Sequence, residues 1–132
     1  TPVIISNSIE WLSLDDWQAE RESLKKQIEE WRADWESLNV EKYLGHYSQK
    51  FLSDGQNYVQ WGERKRQVGS GKSWIKVAAD NISMFRNPGK EDMAVVTFDQ
   101  DYRSNNLSNV MKKRQYWQKE DGRWKIVYEG AG

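Results

Sequence analysis

The last third of the chain alternates between apolar and polar residues, and this pattern restricts the possible folds more than any other feature. It occurs in three segments, residues 93–104, 109–120 and 123–129, and the tight-turn signal Asp121-Gly122 separates the last two. Successive side chains of a strand point to opposite faces, so alternate residues share a face. One face of the first segment consists of Ala94, Val96, Phe98, Gln100 and Tyr102. The pattern predicts three consecutive antiparallel strands whose shared apolar face ends in polar groups.

The second and third segments differ in how clearly they define a buried face. In the second, both sets of alternate residues carry bulk and charge: Met111, Lys113, Gln115 and Trp117 against Val110, Lys112, Arg114 and Tyr116. We expect the set with Trp117 to face inward, because an indole gains more free energy from burial than a phenol that stays partly hydrated. In the third segment, simple alternation places Trp124, Ile126 and Tyr128 on the inner face and Glu129 on the outer face.

The charge balance and the absence of cysteine exclude several classes of protein. Lysine and arginine number 20, as do aspartate and glutamate, so the chain lacks the basic excess typical of nucleic-acid-binding proteins. Without cysteine there is no disulfide, no thiol catalysis and no cysteine-ligated metal. No apolar run approaches the roughly 20 residues of a membrane span, and the first twelve residues do not match a signal peptide. We therefore predict no nucleic-acid partner, no membrane span, no metal and no cofactor.

A long amphipathic helix is predicted near the start of the chain. We expect one domain at residues 13–132, preceded by an arm or linker at residues 1–12. Ser13 is a candidate N-cap for the helix, whose apolar residues recur at helical spacing. That stripe consists of Trp17, Leu24, Ile28, Trp31, Trp35 and Leu38. It is typical of packing onto a sheet, so we interpret its tryptophans as core residues rather than ligand contacts.

Two shorter helices are predicted next. Asn39 is a candidate cap for a helix over residues 40–48, and residues 57–66 predict a third helix, which Gly62 weakens. The only histidine, His46, falls in the second helix. A lone histidine on a short helix is more often a hydrogen-bonded structural residue than a catalytic one, and we interpret it so.

A further strand completes the predicted elements. Residues 73–85 predict a strand that bends near Asp80-Asn81 and ends at the turn Asn87-Pro88-Gly89. Helices followed by four or more antiparallel strands define an α+β class, in which the helices cover one face of the sheet. A strongly curved sheet wrapped over a long helix leaves a cone that is open at one end.

The order of these residues resembles the nuclear transport factor 2-like superfamily, which is also called SnoaL-like or cystatin-like. More narrowly, it resembles the C-terminal accessory domain of bacterial L,D-transpeptidase- and L,D-carboxypeptidase-related cell-shape proteins. The resemblance covers residues 31–129 and departs from the subfamily pattern at Gln115 and Gly62. It rests on Trp31, Trp35, Tyr43, Leu44, Tyr47, Phe51, Trp61, Arg64, Arg66, Val96, Phe98, Gln100, Tyr102, Ser104, Lys113, Glu129 and the segment 122–126.

Catalytic members of the superfamily, such as ketosteroid isomerases, place an aspartate or a histidine–aspartate pair inside the cone as general base. The alternation puts Asp99 and Asp101 on the face opposite Phe98. An enzyme would need Glu129, Asp80 or a helix carboxylate to enter the cone, and the pattern predicts none there. We therefore predict no catalytic residues and a non-catalytic domain, with a SnoaL- or ketosteroid-isomerase-like enzyme as the alternative.

The residues that the pattern places on the inner face are candidates for ligand binding. The predicted ligand-binding residues are Tyr43, Tyr47, Trp61, Arg64, Gln100, Tyr102 and Lys113. Aromatic walls with a few amide, hydroxyl and cationic groups suit a carboxylate-bearing small molecule or peptide. The resemblance implies a peptidoglycan stem peptide or a partner protein, and a location in the bacterial cell envelope or periplasm. In the opposing interpretation, Gln100, Tyr102 and Lys113 satisfy one another and close the cone.

A third hypothesis is a dimerisation scaffold. Met93, Val95 and Thr97 form a mildly apolar strip on the outer sheet face. In this superfamily that face often mediates dimerisation, so the resemblance implies a possible homodimer. The three hypotheses remain open on the sequence alone.

Overall fold

Helices precede an antiparallel sheet in this chain. A computed structural model describes the backbone of residues 2–87 and 90–132 and the side chains of residues 17–87 and 92–132. Within these ranges the helices are α1 (Pro2–Glu36), α2 (Val40–Leu44) and α3 (Tyr58–Ser70). The strands are β1 (Leu52–Ser53), β2 (Gln56–Asn57), β3 (Ile75–Asn87), β4 (Lys90–Ser104), β5 (Ser108–Glu120) and β6 (Arg123–Ala131). β1 pairs with β2, and the others form one open antiparallel sheet in the order β3-β4-β5-β6, which confirms the α+β class.

Helix α1 is longer than the apolar stripe predicts. It begins at Pro2 rather than near Ser13, whose side chain lies outside the described side chains. The helical backbone thus includes residues 2–12, and the division into an arm and a domain stays a prediction. No helix in the described backbone is long and apolar enough to span a membrane.

The stripe of α1 packs on the sheet over its middle turns. Leu24, Ile28 and Trp31 are buried, as the spacing predicts, while Trp17 and Trp35 are half-buried. Leu38 does not join them. The helix ends at Glu36, and Leu38 takes a left-handed φ of 65°, which turns its side chain away from the sheet and into solvent.

Helix α2 starts where the sequence predicts and ends earlier. The Asn39 side chain caps it by accepting the backbone N–H of Lys42 at 3.3 Å. It stops at Leu44 instead of continuing through Ser48. The reason is that the following backbone bonds to β6, where the Ser48 N–H donates to the Ile126 carbonyl at 2.8 Å.

Helix α3 has a capping box at its start. The Asn57 side chain accepts the Gln60 N–H at 3.0 Å, and the Gln60 side chain accepts the Asn57 N–H at 3.0 Å. The helix continues to Ser70, beyond the predicted end. Gly62 is buried, and a Cβ there would lie 3.5 Å from the Leu44 side chain. This is an ordinary van der Waals distance, so the packing of α3 on α2 does not itself require glycine at this position.

Strand β3 bends where the sequence predicts. Its register with β4 shifts between Asp80 and Ser83, and Asn81 takes a left-handed φ of 54°. The predicted turn Asn87-Pro88-Gly89 includes residues that lie outside the described backbone. On β5 the set with Trp117 faces inward, as expected, and Trp117 is fully buried.

Strand β6 contains one residue more than simple alternation allows. Trp117 of β5 pairs with Ile126, and the preceding Tyr116 pairs with Tyr128, so Val127 has no partner across the strands. This β-bulge shifts the side-chain alternation by one position.

The prediction for the end of β6 was wrong because of this bulge. Tyr128 points outward, where its ring lies 4.8 Å from that of Tyr116 between centroids. Glu129 points inward and is 5% exposed. A carboxylate thus occupies the interior position that alternation assigns to a phenol.

The core lies between α1, α2 and the concave face of the sheet. Trp31 is at its centre, with its ring centroid 5.8 Å from that of Phe98 in an edge arrangement. Further buried members are Leu24, Ile28, Tyr43, Leu44, Phe51, Val96, Trp117, Trp124 and Ile126. Large rings supply most of this core, which explains how a chain with few aliphatic residues buries one.

Candidate functional site

Glu129 is the centre of a buried polar network. Its Oε1 accepts the Tyr47 hydroxyl at 2.8 Å and the Gln115 Nε2 at 2.7 Å, and its Oε2 lies 3.2 Å from the Lys113 Nζ. Tyr43 joins through a 2.9 Å bond between its hydroxyl and that of Tyr47. We call these five residues the Glu129 network. Lys113, Gln115 and Glu129 lie at inner positions of β5 and β6, and Tyr47 lies in the turn after α2. The bulge at residue 127 turns Glu129 inward, where it contacts the other three.

Glu129 is held in its charged form. Burial alone would raise its pKa, but the charges of Lys113 and Lys65 and the bonds from Gln115 and Tyr47 together lower the pKa below its ordinary value. A carboxylate that three donors stabilise in this way does not readily take up a proton at neutral pH.

The hydroxyl protons of the network have one consistent order. Tyr47 has a single O–H, which it donates to Glu129, so Tyr43 must donate to Tyr47. The Trp31 Nε1–H also donates to the Tyr47 oxygen at 3.2 Å. Burial, and secondly the Glu129 charge, raise the pKa of both tyrosines well above the ordinary value. Both therefore remain protonated donors.

A cavity of about 430 Å³ opens beside this network. It lies between the C-terminal end of α1, helices α2 and α3, and the inner face of β3–β5. The residues that border it are Asp34, Trp35, Leu38, Asn39, Val40, Tyr43, Arg64, Lys65, Val68, Gly69, Ile75, Gln100, Tyr102, Leu107, Asn109, Met111 and Lys113. Its size falls within the range typical of small-ligand sites.

Gln100 has an unpaired acceptor at the cavity. The residue is 3% exposed, and its buried Oε1 has no hydrogen-bond partner among the described residues. A buried amide oxygen normally finds a partner, because an unsatisfied one loses the hydrogen bonds that water would provide. Gln100 therefore adds an unpaired acceptor to the cavity wall.

Two lysines flank the Trp35 ring at the cavity. The Lys113 Nζ lies 5.1 Å from the Trp35 centroid, and the Lys65 Nζ lies 5.7 Å from it and 4.6 Å from the Trp61 centroid. Lys113 is paired with Glu129, whereas Lys65 has no carboxylate within 4 Å among the described side chains. Burial lowers the pKa of Lys65 to about 8; the charge of Glu129 opposes this shift, and the charges of Lys113 and Arg64 add to it.

The structure places the seven predicted ligand-binding residues in two groups. Tyr43, Arg64, Gln100, Tyr102 and Lys113 border the cavity. Tyr47 does not, because its hydroxyl is committed to Glu129. Trp61 packs on Phe51 at 4.9 Å and lies under Lys65 rather than at the opening. The interpretation in which Gln100, Tyr102 and Lys113 bond to one another is wrong, since Lys113 bonds to Glu129 and Gln100 bonds to none of the described groups.

Sequence analysis missed several residues of this site. Lys65 follows Trp61 by four positions in α3, so helical spacing already placed the two side chains together. Asp34 and Trp35 lie at the end of α1, where the stripe meets the opening. Glu129 was assigned to the outer face, and no sequence signal marked the bulge that turns it inward.

The acidic groups near the cavity all have partners. The Asp34 Oδ2 lies 2.7 Å from the Nε2 of His46, which is buried. Asp99 and Asp101 lie on the outer face, where they bond to Asn81 and Arg103. Among the described side chains, no three histidine or carboxylate groups converge as a metal site requires.

Comparison with known proteins identifies the fold. The family model described as the Cds6 C-terminal NTF2-like domain matches residues 23–130. A search of curated proteins found no match.

Several solved structures are similar to this chain. Bd1075 of Bdellovibrio bacteriovorus superposes with a TM-score of 0.78 at 27% identity, over 89% of this chain and 42% of that one. The K307A variant of Pgp2, the helical cell shape determining protein of Campylobacter jejuni, has a TM-score of 0.76 at 24% identity, over 82% of this chain and 39% of that one. An NTF2-like protein of unknown function from Pseudomonas putida KT2440 has a TM-score of 0.73 at 10% identity, over 85% of this chain and 84% of that one. This chain thus corresponds to about two fifths of the first two proteins.

Proposed function

Because the chain belongs to the family of Cds6 C-terminal NTF2-like domains, we propose that it is a non-catalytic domain whose cavity binds a carboxylate-bearing ligand. The favoured class is a cell-envelope peptide, such as a peptidoglycan stem peptide. The likeness to Pgp2, which is named as a helical cell shape determining protein, supports this class and a role in the bacterial cell envelope.

The observation that carries the proposal is the unpartnered Oε1 of Gln100 at the cavity wall. This oxygen can accept a peptide N–H, and the Nε2 of the same amide can donate to a carboxylate. The positive charges of Lys65 and Lys113 favour an anion beside it. Trp35 and Tyr102, whose ring centroids are 5.2 Å apart with the ring planes tilted by 33°, provide an aromatic wall for the rest of the ligand.

A general-base enzyme receives less support from the same geometry. Glu129 is the interior carboxylate, and its lowered pKa and three donors oppose proton uptake. Asp34 borders the cavity but is bonded to His46. The network instead holds Lys113 in a fixed position beside the cavity, which is the role a binding site needs.

Calorimetric titration tests the proposal. We would compare a synthetic stem tetrapeptide that ends in a free carboxylate with the same peptide amidated at that end. The free acid should bind, and amidation should weaken binding at least tenfold, because the amide lacks the negative charge that the lysines recognise. Equal binding of the two peptides, or no binding by either, would contradict the proposal.

Two matched variants assign the binding to the cavity. Gln100→Met keeps the length of the side chain but removes both hydrogen-bonding groups, so it should abolish most of the affinity. Gln67→Met makes the same change on an exposed part of α3 outside the cavity lining and should bind like the original chain. Loss of binding in both variants, or in neither, would place the ligand elsewhere.

A second candidate function, a homodimer, is favoured by a row of side chains on the outer sheet face. Phe85, Val95, Tyr116 and Tyr128 are consecutive partners across β3, β4, β5 and β6. Phe85 is 59% exposed. The predicted strip of Met93, Val95 and Thr97 crosses this row at Val95. Val95→Lys should convert a dimer to a monomer in light scattering, whereas a monomeric mass for the unchanged chain at high concentration would exclude this function.

A further inference from the structure

Lys65 differs from the other lysines at the sites described above. Its Nζ lies over the rings of Trp61 and Trp35 and has no carboxylate within 4 Å among the described side chains. Lys113, in contrast, is paired with Glu129, and Lys119 is paired with Glu20. The Lys65 amine loses hydration on burial and lies near the cations Lys113 and Arg64, and these effects outweigh the opposing charge of Glu129. Desolvation beside other cations is the condition under which a lysine becomes a nucleophile.

The surroundings of Lys65 also recognise an anion. Arg64, Lys65 and Lys113 border the same cavity, together with the unpartnered Oε1 of Gln100. A ligand with a carboxylate next to its reactive carbon would place the carboxylate on Arg64, Lys113 or Gln100 and its reactive carbon near the Lys65 amine. The smallest carbonyl compounds with this arrangement are 2-oxo acids.

We propose that Lys65 is a covalent site that condenses with the carbonyl group of a 2-oxo acid held in the cavity. The unprotonated Nζ attacks the carbonyl carbon, a C–N bond forms, and the C=O π pair moves to oxygen, which takes up a proton. The resulting carbinolamine loses this oxygen as water while the nitrogen lone pair forms the C=N bond. One amine and one carbonyl thus give one imine and one water, without an oxidant or reductant.

The charges around Lys65 favour this reaction near neutral pH. The charged groups that border the cavity are Asp34, Arg64 and Lys113, and Glu129 lies behind Lys113. Asp34 bonds to His46, and Glu129 is paired with Lys113. The charge of Glu129 still favours the protonated amine of Lys65, but desolvation and the charges of Lys113 and Arg64 outweigh it, so the pKa is lowered. Its pKa of about 8 leaves a useful fraction of neutral amine at pH 7.5.

Reductive trapping with pyruvate tests the proposal. The full 132-residue chain would be incubated with pyruvate and sodium cyanoborohydride, and peptide mapping by mass spectrometry would measure the modified fraction at Lys65 relative to exposed Lys42. Acetone, which has the carbonyl but no carboxylate, is the matched probe. We expect pyruvate to modify Lys65 at least tenfold faster than Lys42, and acetone to show a smaller preference for Lys65.

Two variants separate the amine from its charge. Lys65→Arg keeps a cation but cannot form an imine, and Lys65→Met removes both; circular dichroism would check that each variant keeps the fold. Both should lose the selective adduct. Adducts spread over the lysines according to their exposure, or an unchanged adduct yield in both variants, would overturn the proposal.

The outcome is independent of the stem-peptide experiment. The covalent proposal shares with the proposed function only the anion-binding character of the cavity. Selective trapping at Lys65 in a chain that does not bind stem peptides would support this inference and refute that ligand class. Binding of the stem peptide without selective trapping at Lys65 would refute only the covalent proposal.

Discussion

Removing the cation from the Glu129 network should destabilise the protein by a predictable amount. Lys113→Met keeps most of the aliphatic length but leaves the buried Glu129 carboxylate without its 3.2 Å partner. Breaking a buried ion pair at one side costs about 3 to 5 kcal/mol. Glu129 keeps its bonds from Tyr47 and Gln115 and the more distant charge of Lys65, so we expect a cost near the lower limit, about 3 kcal/mol.

The free-energy cost of Lys113→Met should depend on pH. In the unchanged chain the folded-state pKa of Glu129 lies below its ordinary value of 4.5, so the network stabilises the fold above that pH and this contribution is lost as the pH falls. In Lys113→Met we expect uncompensated burial to raise the folded-state pKa above 4.5. The deficit of the variant should therefore be largest near pH 8 and should shrink as the pH falls towards 5.

Urea unfolding followed by tryptophan fluorescence at pH 5 to 8 would measure these free energies. The control is Lys112→Met, the neighbouring exposed lysine on the outer face, which should change the free energy of unfolding by less than about 0.5 kcal/mol. The double variant Lys113→Met/Glu129→Gln removes both charges and should recover at least half of the deficit. A cost below about 1 kcal/mol that does not vary with pH would refute the charged, paired state of Glu129.

Three further predictions concern single positions. Gln100→Met should raise the free energy of unfolding by about 1 kcal/mol, because it replaces a buried amide whose oxygen has no partner by an apolar group, and thermal unfolding in the absence of ligand would show the increase. Tyr47→Phe should lower it by about 1 to 3 kcal/mol, because Glu129 loses a donor; chemical denaturation at neutral pH would measure the loss, and an unchanged midpoint would contradict the assigned bond. Asn57→Ala should cost about 1 kcal/mol by removing the capping box of α3, whereas the same loss is not expected for Gln67→Ala in the helix interior, and circular dichroism during urea unfolding would compare the two.

The sequence determines most of the fold because the relevant signals are local. The alternation of β4 and β5, the inward position of Trp117 and the cap at Asn39 all follow from residue types and spacing, and the structure has each of them. The bend of β3 near Asn81 likewise carries a turn signal.

The site was less predictable because it depends on contacts between elements. The early end of α2 results from backbone bonds to β6, which the α2 sequence does not encode. Glu129 turns inward because Val127 is unpaired, and neither residue has an unusual local sequence. Lys65 acquires its environment only when α3 packs beside Trp35 of α1. In each case tertiary structure overrides the local pattern.

The unpaired residue in β6 makes the interior charge of this domain depend on how the strand pairs as well as on its composition. Deleting Val127 would remove the bulge and restore simple alternation, with Ile126 inward, Tyr128 outward and Glu129 still inward. With Val127 present but paired, the same strand would turn Tyr128 inward and Glu129 outward. Homologues that are one residue shorter between Trp124 and Glu129 should therefore keep an acidic hollow without a bulge, whereas a chain of the present length needs the bulge to keep it.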